Sequence, residues 1–302
     1  MHDIIIIGAG PAGMTAAVYA LRADKTVLLI ERGAFGGQMT FSPNIENFPG
    51  TVSASGSEIA DKMVEQVINL GGEFELGEVT GIRDNGDTKT VIADCGEYEA
   101  RAVVIATGVK HRMLGLDGEE ELIGDGISFC AVCDGAFYKN KDVAVIGGGN
   151  SALQEAILLS DVCKSVTVIQ NLDRLTGEGR LQKVIAEKSN IKVITSTVVT
   201  EYLKNSGAFC GVKVKNTESG DETEIKADGV FVAIGLIPEN GIFAELTELD
   251  ARGYFASGED CATKTAGIFV AGDCRAKRIR QVATACADGA VAALSACEYL
   301  DK

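Results

Sequence analysis

The segment 128–138, SFCAVCDGAFY, contains two cysteines that are separated by two residues and followed at once by an aspartate. Two thiols at this spacing can bind zinc, or they can cycle between a dithiol and a disulfide. Structural zinc needs two further ligands, and the chain has no other CxxC and only two histidines, His2 and His111. The spacing therefore favours redox chemistry at Cys130 and Cys133, and no metal site is predicted.

Asp134 argues against the simpler interpretation that the two thiols are only buried packing residues. A carboxylate beside a thiol raises the pKa of that thiol, and the carboxylate costs free energy if it is buried. Its position therefore suggests proton transfer, and Cys130, Cys133 and Asp134 are the predicted catalytic residues. Such a site needs a source of electrons elsewhere in the chain.

A glycine-rich turn, GAGPAG at 8–13, lies between the apolar strand DIIIIG and a helix. Gly8 allows the tight turn, Gly10 lets the backbone approach a pyrophosphate, and Gly13 lets the helix pack closely on the strand. The helix N-terminus offers free N–H groups and the positive end of the helix dipole. A second strand, TVLLI, ends at Glu31, which can accept hydrogen bonds from a ribose diol. This order predicts a dinucleotide site.

The same plan recurs at 143–170, where the order is VAVIG, GGGNSA, a helix and SVTVI. Gln170 stands where an acid would favour NADH, and no arginine follows directly to favour NADPH. Arg174 and Arg180 lie further along and could be recruited. Two interpretations stay open: an atypical nucleotide site, or a domain that keeps the fold without holding a dinucleotide tightly.

The order of elements predicts an α/β fold with two Rossmann-like domains of the three-layer ββα type, the second inserted in the first. Short alternating strands follow each glycine-rich unit and end in VVIATG at 103–108 and VFVAIG at 230–235. A third apolar strand, GIFVAGD at 267–273, is too distant from the second unit to belong to it. We assign it, with a long helix at 281–300, to the first domain, which is then discontinuous.

The composition is that of a soluble globular protein, with 46% apolar and 24% charged residues. A net charge of −15 argues against nucleic acid and anionic membrane as partners. The apolar run at 4–7 is too short to span a bilayer and no secretory signal is visible, so a cytoplasmic location is expected. Nine cysteines without a framework of spacings fit a reducing compartment.

Seven segments carry a resemblance to a known family: GAGPAG, GGQ at 36–38, ENFPG at 46–50, ATGVKHRMLGLDGE at 106–119, CAVCDG at 130–135, GGGNSA at 147–152 and AGDCRAKRIRQVATACADG at 271–289. In this order, over the whole chain, they resemble the low-molecular-weight thioredoxin reductases. The resemblance implies a homodimer with an FAD domain at 1–112 and 240–302 and a pyridine-nucleotide-type domain at 113–239. It also implies that the inserted domain rotates to present its cysteines alternately to the flavin and to oxidised thioredoxin.

The resemblance also implies roles for individual residues. Cys133 corresponds to the sulfur that faces the flavin, Cys130 to the sulfur that attacks thioredoxin, and Asp134 to the acid/base. The implied FAD-binding residues are Gly8, Gly10, Pro11, Ala12, Gly13, Glu31, Arg32, Gly37, Gln38, Asn47, Val79, Ala106, Thr107, Gly108, Gly272, Asp273, Arg280, Gln281 and Val282. Val282 stands where the family usually has alanine.

One departure from the family concerns the electron donor. The NADPH-binding segment of the family normally reads His-Arg-Arg and ends with another arginine, whereas this chain has Gln170, Asn171, Leu172 and Thr176. Each charge-assisted phosphate contact contributes about 1.5–3 kcal/mol, so losing several should weaken NADPH by orders of magnitude. The usual proline of the hinge is also replaced, by Asp117. These features resemble the ferredoxin-dependent flavin thioredoxin reductases of anaerobes, so reduced ferredoxin is the expected donor and NADPH is doubtful.

Two alternatives stay open from the sequence. The first is a reductase fed by NADPH or NADH through Arg174 and Arg180. The second is a flavin-bound redox sensor that has no turnover. The negative charge of the chain is an objection to ferredoxin, which is usually acidic, although Lys277 and Arg278 could offset it locally.

Overall fold

The computed structural model describes residues 1–42 and 45–302. The chain forms two compact units, one from Met1–Lys110 with Ile237–Lys302 and one from His111–Leu236. The expected domain limits, 112 and 240, lie within three residues of these bounds. Each unit has its own sheet and its own hydrophobic core.

Seventeen strands and six α-helices are found in the described residues, together with short 3-10 turns. The strands are β1 (His2–Ile7), β2 (Val27–Glu31), β3 (Glu73–Leu76), β4 (Val79–Asp84), β5 (Lys89–Ala93), β6 (Gly96–Ile105), β7 (Lys110–His111), β8 (Ile127–Ser128), β9 (Asp142–Ile146), β10 (Ser165–Ile169), β11 (Ile191–Ile194), β12 (Thr197–Asn205), β13 (Ala208–Asn216), β14 (Glu222–Lys226), β15 (Gly229–Val232), β16 (Leu236–Ile237) and β17 (Ile268–Val270). The helices are α1 (Pro11–Arg22), α2 (Gly56–Asn69), α3 (Ala131–Asp134), α4 (Asn150–Ser160), α5 (Gly179–Glu187) and α6 (Val282–Leu300).

The first unit is built on a seven-stranded sheet in the order β3-β2-β1-β6-β5-β4, with β17 also paired to β6. Strand β1 is apolar and buried from Ile4 to Ile7, as expected for a central parallel strand that is covered on both faces. The parallel pairing of β17 with β6 sets Ile268 opposite Val103. This pairing confirms the prediction that the third apolar strand returns to the first unit.

Three helices cover one face of this sheet, and their starts follow local rules. Helix α1 begins with proline, which needs no N–H partner at that position, three residues before the start that apolar periodicity predicts. Helix α2 begins with a capping box between Ser55 and Glu58. Helix α6 packs against α1 so closely that a Cβ on Gly289 would lie 2.1 Å from the carbonyl oxygen of Ala12.

The second unit contains a five-stranded sheet in the order β11-β10-β9-β15-β8 and a separate antiparallel sheet of β12, β13 and β14. Strands β9 and β10 pair in parallel on either side of α4, which repeats the arrangement of β1, α1 and β2. The prediction of two Rossmann-like units built on one plan is therefore confirmed. Within the described residues, no helix combines the length and the apolar character needed to cross a membrane.

Candidate active site

The two cysteines of the CxxC form a disulfide at the start of the four-residue helix α3, with their Cα atoms 5.3 Å apart. The Sγ of Cys130 accepts a hydrogen bond of 3.2 Å from the backbone N–H of Cys133. A backbone N–H that points at a sulfur stabilises the thiolate form over the thiol. In the disulfide form, the backbone N–H of Cys133 is therefore already directed at the sulfur of Cys130.

Asp134, the next residue, has a buried carboxyl group in which only one of the two oxygens has a hydrogen-bond partner among the described residues. Its Oδ2 accepts a hydrogen bond of 2.6 Å from the Ser128 hydroxyl, which in turn accepts one of 3.1 Å from the backbone N–H of Cys130. Its Oδ1 is buried, and no described residue donates a hydrogen bond to it. Burial raises the pKa of Asp134, and the Ser128 hydrogen bond opposes this effect. A carboxyl with a raised pKa beside a thiol is suited to proton transfer near neutral pH.

Sequence analysis missed two polar residues around this turn. Ser128 connects Asp134 to the backbone of Cys130, and nothing in its spacing distinguishes it from an ordinary serine. Glu155 lies on α4, which packs against α3, and its Oε2 is buried without a hydrogen-bond partner among the described residues. The sequence could have drawn attention to Glu155, because it is the one acidic residue in the helical segment NSALQEAILLS.

The first glycine-rich turn leaves space for a ligand at one of its three glycines. A Cβ on Gly8 would lie 2.5 Å from the carbonyl oxygen of Ala106, and a Cβ on Gly13 would lie 1.8 Å from that of Gly8. A Cβ on Gly10 would meet none of the described atoms within 4 Å. Gly10 precedes α1, whose N-terminus receives no side-chain cap from the described residues. An open position before an uncapped helix N-terminus fits a pyrophosphate.

A cavity of about 380 Å³ lies at this turn, and six of the predicted residues line it: Gly8, Glu31, Arg32, Val79, Thr107 and Gly108. The Glu31 carboxylate accepts hydrogen bonds from the backbone N–H groups of Ala9 at 2.7 Å and Gly33 at 2.9 Å, which fix it at the mouth of the turn. Glu239 and Ile242 also line the cavity and were not predicted. Glu239 pairs with both Arg32 and Lys110, so the rim of the cavity is a charged network.

Asp273, also in the first unit, has a carboxylate oxygen that lacks a hydrogen-bond donor among the described residues. Its Oδ1 is buried and lacks a hydrogen-bond partner in the described part of the chain, although Lys277 Nζ lies 3.6 Å away as an ion-pair partner. Burial raises the pKa of Asp273, while the charges of Lys277 and Arg280 act in the opposite direction. An acceptor left without a donor fits a ligand that carries hydroxyl groups, such as the ribityl chain of FAD.

The other predicted cofactor residues cluster with these in the first unit. Asn47 Nδ2 donates a hydrogen bond of 3.1 Å to Gln281 Oε1, directly before α6 and Val282. Arg280 lies over the Tyr254 ring at 4.3 Å and donates to the carbonyl oxygen of Asp273. The remaining members are placed as follows: Pro11 and Ala12 open α1, Gly37 and Gln38 open the 3-10 turn that follows β2, Ala106 follows β6, and Gly272 precedes Asp273.

The second glycine-rich turn is covered by the loop that follows β10. The Gln170 side chain is buried against the turn, where a Cβ on Gly148 would lie 2.5 Å from its carboxamide carbon. Gln170 Nε2 donates to the carbonyl oxygen of Arg174. The exposed guanidinium groups of Arg174 and Arg180 pair with their neighbours Asp173 and Glu178. The three residues directly after β10 are Gln170, Asn171 and Leu172, and none of them offers a guanidinium group to the 2′-phosphate of NADPH.

The family model for "Pyridine nucleotide-disulphide oxidoreductase" matches residues 2–289. The thioredoxin reductases of Listeria monocytogenes and Bacillus subtilis are 42% and 41% identical to all 302 residues, which cover 95% and 96% of the relatives' lengths. The crystal structure of thioredoxin reductase from Streptococcus pyogenes superposes with a TM-score of 0.94 at 42% identity, covering 100% of this chain and 98% of that one. The thioredoxin reductase from Giardia duodenalis gives 0.92 at 29% identity, covering 100% and 99%.

These comparisons bear on the expected donor as well as on the fold. None of the four names includes ferredoxin, so the expected ferredoxin-dependent subtype receives no support from them. The family description names a pyridine nucleotide, which agrees better with the alternative that the sequence left open. The match over residues 2–289 and the identity across the full length show that this chain belongs to the pyridine nucleotide-disulphide oxidoreductase family, among the thioredoxin reductases.

Proposed function

We propose that this chain is an FAD-dependent enzyme that reduces the disulfide of oxidised thioredoxin through Cys130 and Cys133. The observation that carries the proposal is the Cys130–Cys133 disulfide beside a buried, half-satisfied carboxyl group at Asp134. A structural disulfide needs no proton donor, whereas a catalytic one must exchange protons each time it opens and closes. The family and the names of the relatives agree with this chemistry.

In this proposal FAD supplies the electron pair, and the first unit holds it. The pyrophosphate would lie at Gly10 and the N-terminus of α1, the adenosine ribose at Glu31, and the ribityl chain at Asp273. These placements rest on the open position at Gly10, the cavity at Glu31 and the unpaired oxygen of Asp273. The other predicted cofactor residues belong to the same proposal.

The two sulfurs have different proposed roles. Cys130 attacks the thioredoxin disulfide, as the resemblance implies, and the backbone N–H of Cys133, which points at the Cys130 sulfur, fits this role. The remaining sulfur, Cys133, receives electrons from the flavin and later resolves the mixed disulfide. Asp134 takes the proton from a thiol that becomes a nucleophile and returns one to a thiolate that leaves.

The proposed electron donor is a reduced pyridine nucleotide that is bound without a 2′-phosphate contact. Gly149 supports this, because a Cβ there would meet only Thr176 Oγ1, at 3.9 Å, among the described atoms. Gly149 thus resembles Gly10, and it precedes α4, whose N-terminus also receives no cap from a described side chain. NADH has no 2′-phosphate, so the replacement of the family's arginines by Gln170, Asn171 and Leu172 affects it less than NADPH.

Reduced ferredoxin is the second candidate donor, and one observation favours it. The buried Gln170 side chain and the loop after it cover part of the second glycine-rich turn, where an adenosine would have to fit. A donor that passes single electrons to the flavin would need no such site. The homodimer that the resemblance implies and the cytoplasmic location stay predictions in either case.

An anaerobic titration of FAD-loaded protein tests the function and the donor together. NADH, NADPH and reduced ferredoxin are added in turn while flavin absorbance and thioredoxin reduction are recorded, with Cys130→Ser as the control that cannot attack thioredoxin. We expect NADH to bleach the flavin and thioredoxin to be reduced. If only reduced ferredoxin bleaches the flavin, ferredoxin and not NADH is the donor. A protein that shows no turnover with any donor would support the redox-sensor alternative. A protein that cannot bind FAD would contradict the proposal as a whole.

A further inference from the structure

Glu155 is a buried acid that the proposed chemistry has not yet used. It lies in the middle of α4, where its neighbours Ala152, Ala156 and Leu159 are buried. Its Oε2 is enclosed and has no hydrogen-bond partner among the residues described, yet the residue as a whole keeps some contact with solvent. A carboxyl group in this position can exchange a proton with water on one side and present it to the protein interior on the other.

The Asp134 carboxylate is the charged group whose electrostatic effect on Glu155 is resolved. Burial, together with the Asp134 carboxylate, raises the pKa of Glu155 to about 8, so Glu155 holds its proton at neutral pH. Both carboxyl groups lie on packed helices, and each has one buried oxygen that lacks a partner in the described chain. Two interacting acids of this kind titrate as a pair in which one carries the proton while the other is ionised.

The other described ionisable groups on the elements that pack against α4 are either kept neutral by burial or lie at or near the surface. Burial keeps Tyr138 and Cys163 neutral by raising their pKa values to about 12 and about 11. Strand β10 contributes no ionisable side chain. The charged groups of β9 and α5, which also pack on α4, lie at or near the surface: Asp142, which pairs with Lys164, and Arg180, Lys183 and Glu187. Asp134 is therefore the group with which Glu155 can share a proton.

The reaction requires protons to reach this place. Reduction of a disulfide to a dithiol consumes two electrons and two protons. A reduced pyridine nucleotide gives its electrons as a hydride, with one proton, and a single-electron carrier gives none. At least one proton per turnover must therefore come from solvent under either donor. Asp134 is 8% exposed and its Oδ2 is bonded to Ser128, so the unpaired Oδ1 is where that proton can arrive.

We propose that Glu155 acts through Asp134 as the residue that passes solvent protons to it during each turnover. After Asp134 has protonated a departing thiolate, the Glu155 carboxyl releases its proton, which reaches the Asp134 carboxylate through a bridging water because the two groups are not hydrogen-bonded to each other, and Glu155 then regains a proton from solvent. Only O–H bonds break and form at Glu155, and no electrons pass through it. This inference rests on the proposed function, which assigns the acid/base role to Asp134.

Single-turnover kinetics of Glu155→Gln test the proposal without a physiological donor. FAD-loaded protein is reduced with dithionite under anaerobic conditions and mixed with oxidised thioredoxin, and flavin reoxidation is followed between pH 6 and 9.5. We expect the wild type to be about tenfold faster than Glu155→Gln near pH 6.5. The two rates should converge above pH 9, where Glu155 has lost its proton. Glu187→Gln, which removes an exposed charge from the neighbouring helix α5, should match the wild type throughout.

The outcomes separate this inference from the proposed function. A wild type that passes no electrons to thioredoxin would refute the function, and the inference with it. If the wild type is active but the ratio of its rate to that of Glu155→Gln stays constant with pH, the inference alone is refuted. A purely structural role of Glu155 would not make that ratio depend on pH. If Glu155→Gln cannot fold with FAD, Glu155→Asp replaces it. That variant must move the apparent pKa of the rate, and an unmoved pKa would overturn the proposal.

Discussion

Glu155→Gln should change how the stability of the protein depends on pH, independently of any effect on rate. The Glu155 carboxyl has a folded-state pKa of about 8, against an ordinary value of 4.5. Between these values the unfolded chain releases this proton while the folded chain retains it. Stability therefore decreases as pH rises through this window, by the linkage between proton binding and folding. Glutamine has nearly the same shape and no proton to release, so the variant lacks this decrease.

The size of the effect follows from the pH interval that can be measured. Linkage through one proton changes the free energy of unfolding by at most about 1.4 kcal/mol for each pH unit. Between pH 5.5 and pH 8, an interval of 2.5 units, the upper bound is then about 3–4 kcal/mol. Partial contact of Glu155 with solvent and relaxation of its surroundings reduce this, so we expect on the order of 1–3 kcal/mol. Asp134 and the other acids contribute to both proteins and largely cancel in the comparison.

Urea unfolding of FAD-loaded protein, followed by circular dichroism at several pH values, measures this difference. The quantity of interest is the free energy of unfolding of Glu155→Gln minus that of the wild type, which should increase as pH rises from 5.5 to 8. Glu187→Gln serves as the matched control and should give a difference that does not vary with pH. A flat difference for Glu155→Gln would show that Glu155 titrates normally, and the argument for a stored proton would then be wrong.

Four further predictions concern the site itself. Asp134→Asn should slow thioredoxin reduction by a factor of about 10²–10⁴ at pH 7, because the acid/base is lost, while an unchanged flavin spectrum would show that FAD is still bound; an unaffected rate would remove Asp134 from the mechanism. Asp273→Ala should weaken FAD by about tenfold in a fluorescence titration, because a charged acceptor is lost, and an equal affinity would argue against the ribityl contact. Gly149→Ala should fold normally, since its Cβ has space, and should weaken NADH binding without affecting electron transfer from reduced ferredoxin; unaltered NADH binding would refute the nucleotide site. Asn171→Arg with Leu172→Arg should strengthen NADPH binding by at least about tenfold and leave NADH almost unchanged, and no gain would show that the covering loop, and not the missing charge, limits NADPH.

Much of the fold could be predicted from the sequence because its signals are local. Buried parallel strands such as Ile4–Ile7 are continuous apolar runs, and each glycine-rich turn separates a strand from a helix. The return of β17 to the first sheet was predicted from its distance along the chain, which is too great for it to belong to the second unit. The start of α1 was the weaker prediction, because proline at the first helical position is compatible with a helix and not only with a turn.

The polar environment of the site was harder to predict, because tertiary contacts create it. Ser128 reaches Asp134 only after the chain folds back at α3, and Glu155 lies on a different helix, α4, which packs against α3. Glu239 joins Arg32 across about two hundred residues of sequence. Each of these side chains is ordinary in its local sequence. Their importance comes from burial and from neighbours, which local patterns do not contain.

The three glycines of the second glycine-rich turn are not equivalent, and the difference bears on whether the second unit can bind a nucleotide. Gly147 has a φ of +127° and a Cβ there would lie 2.6 Å from the carbonyl oxygen of Ala233, so the folded chain itself requires glycine at this position. At Gly148 the neighbour is a side chain and not the backbone: a Cβ there would lie 2.5 Å from the carboxamide carbon of Gln170, which is buried. Packing therefore explains two of the three glycines, whether or not a nucleotide binds. Gly149 has an ordinary extended backbone and open space around it, so packing and conformation do not require glycine there. The argument for a nucleotide in the second unit therefore depends on Gly149 alone, as the argument for FAD in the first turn depends on Gly10.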